Sequence, residues 1–155
     1  MSLKKESNRT IIAIWHAADM GKTETLRAFA NLLLNTFPQF DPIRPVPAFV
    51  PPSGDFLLVV RINGVVVGIT SQGDPGTDLE NRLINLADNR ECDIILCSTR
   101  TRGETVTAVD RVANTRDYQT IWTSTYQIEG EDNQRIVNNL KAAHLLDLIQ
   151  TLGLL

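Results

Sequence analysis

Hydrophobic positions along the chain switch repeatedly between strand-like and helix-like spacing, and the switching predicts the order of elements. Thr10 to Trp15 is a short apolar run of β-formers. Past the turn at His16 to Gly21 the period becomes helical from about Lys22. Leu26, Phe29, Ala30 and Leu33 fall at i, i+3, i+4 and i+7, one face to bury against a sheet. Phe56 to Ile62 and Val65 to Ile69 are β-rich runs separated by Asn63-Gly64, a dipeptide that supplies the positive φ angles of a type I′ turn, so they predict a hairpin. Thr70-Ser71-Gln72-Gly73-Asp74-Pro75-Gly76 stops the second run. Thr77 and Glu80 then have capping-box spacing, and a helix to about Asp88 follows with Leu79, Leu83 and Leu86 inward. Asp93 to Cys97 reads as a buried strand, with Ser98 to Gly103 as the loop after it. Val106, Val109, Val112 and Ala113 repeat the helical spacing, and Gln119 to Thr123 is one more strand. Asp132 opens a closing helix with Ile136, Leu140, Leu145, Leu148 and Leu152 as core positions.

Strands alternating with helices of this length predict an α/β fold: three layers, α/β/α, around a mostly parallel sheet with one antiparallel hairpin strand. Six of the seven prolines lie between Pro38 and Pro52, which excludes a helix there and argues against a central strand. That stretch reads as an exposed connector, either a flap over a ligand or a plain extended link. Residues 1–9 read as a flexible N-terminus before a single domain over 10–155, and 43% hydrophobic residues in a chain of 155 suffice for one core. A net charge of −3 leaves no basic excess for coating phosphates, which argues against general nucleic-acid binding. Apolar stretches of only strand length predict no membrane segment and a soluble, cytoplasmic protein. Cys92 and Cys97, five apart across a strand, read as structural thiols on opposite faces with no metal-ligand spacing. His144 reads as a hydrogen-bonded core or surface histidine.

Ligands of such sheets bind outside the carboxyl ends of the strands, here the loops starting at His16, Thr70, Ser98 and Ser124. The first loop holds the sharpest motif, His16-Ala17-Ala18-Asp19-Met20-Gly21-Lys22-Thr23. Gly21-Lys22-Thr23 resembles the end of the Walker A motif of P-loop NTPases, which reads Gly, four residues, Gly, Lys, then Ser or Thr; His16 stands in place of the first Gly. A bend before a helix aims backbone N–H groups and the positive end of the helix dipole at one point, which suits a phosphate. The resemblance implies ATP or GTP cradled by residues 16–23, with Lys22 on the β- and γ-phosphates and the Thr23 hydroxyl on Mg²⁺.

The order loop, helix, hairpin, glycine-bearing turn is similar to the Ras-like GTPase branch, over about two thirds of the chain. There the turn is Asp, two residues, Gly; here Thr70 replaces the acid before Gly73, so its task on Mg²⁺ falls to Asp74 or is left undone. Gln72 and Asp74 are candidates for orienting an attacking or metal-bound water, although Asp74-Pro75-Gly76 is also good turn chemistry. The guanine-reading Asn-Lys-x-Asp is absent. Ser98 to Gly103 stands in its place, where Arg100 and Arg102 either clamp phosphate oxygens or are solvated loop charges. Trp15 and Trp122 read as core packing, with stacking on a base as the alternative. Two functions follow. One is an NTP-dependent enzyme, hydrolysing NTP or transferring phosphoryl to a small molecule, with Lys22, Gln72, Asp74, Arg100 and Arg102 as its catalytic set. The other is a weak or inactive GTPase-like module acting through a protein partner, which His16 and Thr70 favour.

Overall fold

Ile11, Ile12, Ala13 and Ile14 are fully buried, because the strand that carries them, β1 (Thr10–Trp15), has a neighbour on each side and a helical layer on each face. The computed structural model describes residues 9–16, 21–72 and 76–155. After β1 come α1 (Lys22–Thr36), β2 (Asp41–Arg44), β3 (Leu57–Ile62), β4 (Val65–Thr70) and α2 (Leu79–Ile84), which runs on as a π-helical turn over Asn85–Asn89. The chain closes with β5 (Ile94–Thr99), α3 (Glu104–Arg116), β6 (Gln119–Ser124) and α4 (Glu131–Thr151). One sheet takes the order β2-β3-β4-β5-β1-β6. β4, β5, β1 and β6 are parallel neighbours, and among the described strands only β3 runs against the rest.

The two faces have separate cores. Ile12 and Ile14 pack with Leu26, Phe29 and Leu33 of α1 and with Ala142, Leu145 and Ile149 of α4. Ile11 and Ala13 pack with Leu83 and Leu86 on one side and Val109 and Val112 of α3 on the other. The result is the expected three-layer α/β arrangement with a mostly parallel sheet. The hairpin turn also forms as expected, with Asn63 at φ 50° and Gly64 at φ 82°.

Several expectations are corrected. Part of the proline-rich connector is a strand: β2 pairs antiparallel with β3 at the sheet edge, where Pro42 has no ladder donor to supply, and its register shifts between Pro42 and Arg44. The Thr77/Glu80 capping box does not form; α2 starts after Asp78, which is left-handed at φ 60°, and Glu80 instead pairs with Arg111 at 2.6 Å. Ser98 and Thr99 belong to β5. On α4, Leu145 is buried and Leu148 partly so, but Ile136, Leu140 and Leu152 face solvent. The inward row holds Asn138 and Lys141, whose polar atoms are satisfied by Thr25, Gln134 and Thr123, so that face is not marked by apolar residues alone. Cys92 and Cys97 share one cluster because Cys92 precedes β5, outside the alternation of a strand. Arg9 is held in place: its guanidinium donates to Arg116 O, Ala87 O and Tyr118 Oη and lies 4.1 Å over the Tyr118 ring. Residues 1–8 lie outside the described set. Among the described residues no helix is long and apolar enough to cross a membrane.

Candidate functional site

β1, β5 and β6 end level with one another, Trp15 lying in register with Thr99 and with Ser124, and β4 ends at Thr70 opposite Cys97. From β1 the chain turns to α1 on one face, and from the adjacent β5 to α3 on the other. A split of this kind between neighbouring parallel strands opens a crevice at their carboxyl ends.

Gly21 enters α1 at φ 81°, a backbone strained for any residue with a side chain, and a Cβ there would stand 3.1 Å from Asn138 Oδ1 and 3.3 Å from Gln134 Nε2. Among the described residues no side-chain hydrogen bond caps the start of this helix. Lys22 is 5% exposed, and its Nζ donates to Thr99 O at 3.1 Å and His16 O at 3.5 Å, tying the ends of β1 and β5 together beneath the bend. The half-buried Thr23 hydroxyl makes no hydrogen bond among the described residues. His16 donates its backbone N–H to Thr99 O at 3.2 Å, and its ring lies 6.5 Å from that of Trp15 and nearly parallel to it. The buried Nδ1 of that ring has no hydrogen-bond partner among the described residues. Ala17, Ala18, Asp19 and Met20 lie outside the described residues, as do Gly73, Asp74 and Pro75.

Beyond β4, Thr70 is buried and its Oγ1 accepts from Arg82 Nη1 at 2.6 Å. The same guanidinium donates to the Gln72 carbonyl, to Thr77 O at 3.2 Å and to Thr77 Oγ1 at 3.0 Å. Burial lowers its pKa, opposed by the charges of Asp55 and Asp78 among others. Ser98 Oγ donates to Ser71 O at 2.8 Å, and Gly76 N to Glu104 Oε1 at 2.5 Å, so Ser71 and Gly76 are fastened to the end of β5 and the start of α3. Ser71 Oγ donates to Asp55 Oδ1 at 3.1 Å. The connector leading to Asp55 is pinned by Arg27 of α1, which donates to Pro51 O and, at 2.8 Å, to Gly54 O.

The structure therefore brings His16, Gly21, Lys22 and the end of β5 to one point. Arg100 and Arg102 sit on the loop directly after β5, the first partly buried and the second exposed. Exposed Gln72 follows β4, which is two strands from β1, about 10 Å across the sheet. Reading the sequence missed Arg82, Arg27 and Asp55. Their bonds join separate elements, and no local spacing signals them. Among the described residues no group of three or more His, Cys, Asp or Glu is arranged to hold a metal. A groove of about 460 Å³ between the first turns of α2 and α3 has Asp78, Glu80 and Glu104 against one Arg111, a balance that repels phosphate. No family model matches the chain, nor does any curated protein or solved structure.

Proposed function

We propose that the chain binds a nucleoside triphosphate with Mg²⁺ at the bend between β1 and α1, and turns it over slowly, by hydrolysis or by phosphoryl transfer to a small molecule. The reading is carried by Lys22, a buried ammonium at the foot of a helix whose left-handed glycine start has no side-chain cap. Its described acceptors are the carbonyls of Thr99 and His16, and an ammonium hydrogen-bonds about twice as strongly to a charged phosphate oxygen as to a neutral acceptor. Uncapped first-turn N–H groups and the helix dipole add to the same preference.

For Mg²⁺, Thr23 would supply one hydroxyl oxygen, phosphates most of the rest, and Asp55 is a described carboxylate at the end of the β3–β4 pair. The ion would neutralise charge on the transferring group; Arg100 and Arg102 would do so from the β5 loop, and Gln72 would orient water. A specific observation favours the second reading, a GTPase-like module that binds nucleotide and acts through a protein partner. Thr70 supplies no carboxylate, and its hydroxyl is already taken by Arg82.

Melting curves with MgATP and MgGTP, run beside phosphate release, test both readings. Nucleotide at 100 times Kd should add about 2.7 kcal/mol to stability. Lys22→Ala should abolish that gain while the unliganded protein stays folded. Release or transfer identifies the enzyme, and a shift without release the module. A Lys22→Ala protein that responds like the parent sinks the assignment.

A further inference from the structure

The sequence contains two tryptophans, and both come to one small pocket where sequence reading expected core packing. Trp15 is 38% exposed and Trp122 37%. Trp122 pairs with Ala13, which shares the α3-facing side of β1 with Trp15, so the indoles are diagonal neighbours on that side of two adjacent strands. Thr101 of the β5 loop and Val106 in the first turn of α3 complete the described lining, around about 250 Å³. That is below the roughly 300–1,000 Å³ of pockets that take whole drug-sized ligands, and it suits a single ring system. Neither indole N–H is hydrogen-bonded among the described residues, so each remains a donor at the rim.

We infer that this pocket takes the base of the nucleotide, a flat aromatic ring lying on the Trp15 and Trp122 indoles, an inference that rests on the phosphate reading above. Continuity with the bend supports it. Trp15 directly precedes His16 and stacks on its ring, and Thr101 lies between Arg100 and Arg102, so the indoles adjoin the bend at the end of β1. A stacking site of this kind is tolerant of base identity, because every base has a π-face. This agrees with the missing guanine-reading motif.

Because the pocket contains both tryptophans, intrinsic fluorescence reports its occupancy directly. The test titrates MgATP, adenosine and Mg-tripolyphosphate into the parent, Trp122→Leu and Trp122→Phe, following fluorescence and melting temperature together. MgATP and adenosine should quench the parent, and tripolyphosphate should raise its melting temperature with little quenching. Trp122→Leu should weaken MgATP about tenfold, as loss of one stacking partner predicts, and leave tripolyphosphate unchanged. Trp122→Phe, which keeps a ring, should recover most of the loss. MgATP binding equally tightly to parent and Trp122→Leu overturns the base pocket while the phosphate reading stands. Adenosine quenching with no response to tripolyphosphate keeps the pocket and removes the phosphate reading. No response to any of the three removes both.

Discussion

A guanidinium that serves Thr70, Gln72 and Thr77 at once holds both flanks of the 73–75 segment from the side of α2. Arg82 is suited to this because its donors form a rigid planar fork, whereas a lysine offers one compact point charge. Hydrogen bonds that involve a charged group contribute about 1.5–3 kcal/mol each where they are protected from water. Arg82 is only partly buried, so Arg82→Ala should cost about 2–3 kcal/mol in total. Urea denaturation is the measurement, and Arg82→Lys should restore less than half of the loss. The proposed site should respond as well, since Ser71 and Gly76 are bonded to the end of β5 and the start of α3, on either side of the Arg100–Arg102 loop; Kd for MgATP should rise about threefold or more in Arg82→Ala. A variant with the parent's midpoint and affinity would reduce the clamp to a surface contact.

At the scale of elements, β4 shows why a glycine sits mid-strand. Gly68 lies opposite Val59 of β3 and Ile95 of β5, and an added Cβ would come within 2.8 Å of Cys92 Sγ and 3.1 Å of Leu86 Cδ2. The π-helical turn after α2 and the residues following it thus pack directly onto bare backbone. Gly68→Ala should destabilise by about 1–3 kcal/mol through overpacking, and Cys92→Ala in the same protein should recover part of that by removing the nearer obstacle. Four unfolding curves complete the cycle; strictly additive losses would mean that the strain lies elsewhere. This contact was not legible in the sequence, where Gly68 reads only as an interruption in a run of valines. The elements that were legible are those with one dominant signal: the four-residue apolar face of α1, the Asn63-Gly64 turn and the apolar run of β1. α4 was misread because Asn138 and Lys141 on its inner face are paid in hydrogen bonds from other elements. β2 was missed because its Pro42 is tolerated only at a sheet edge, which pairing with β3 creates. For the site, Gly21 and Lys22 could be placed from order alone. The clamps of Arg27 and Arg82, and the exposure of both indoles, depend on which strands become neighbours.

Among the described residues, three groups whose pKa burial raises lie together in one of the two cores. Cys92, Cys97 and Tyr118 all lie in the cluster between the sheet and the α2/α3 layer, and burial pushes each of them up to about 12. Asp93 adds to the shift of Cys92, and the Tyr118 hydroxyl donates to Cys92 O. Free thiols titrate near 8.5 and tyrosine near 10, so on unfolding all three groups ionise at lower pH than they do in the fold. The sign follows. Below about pH 8 both states hold these protons and stability does not depend on them. Above that range the unfolded chain binds fewer protons than the folded one, so stability falls as pH rises, until the folded groups titrate near 12. The slope approaches about 1.4 kcal/mol per pH unit for each thiol. Urea midpoints should therefore fall a little from pH 7 to about 8.5, where the unfolded thiols are half ionised, and much more steeply from there to pH 10. Cys92→Ala combined with Cys97→Ala should lower stability at every pH through the cavities left, yet flatten the fall between 8.5 and 10 to the smaller share owed to Tyr118. A parent whose midpoint is as high at pH 10 as at 8.5, or a double variant that falls as steeply as the parent, would place the alkaline sensitivity outside this core.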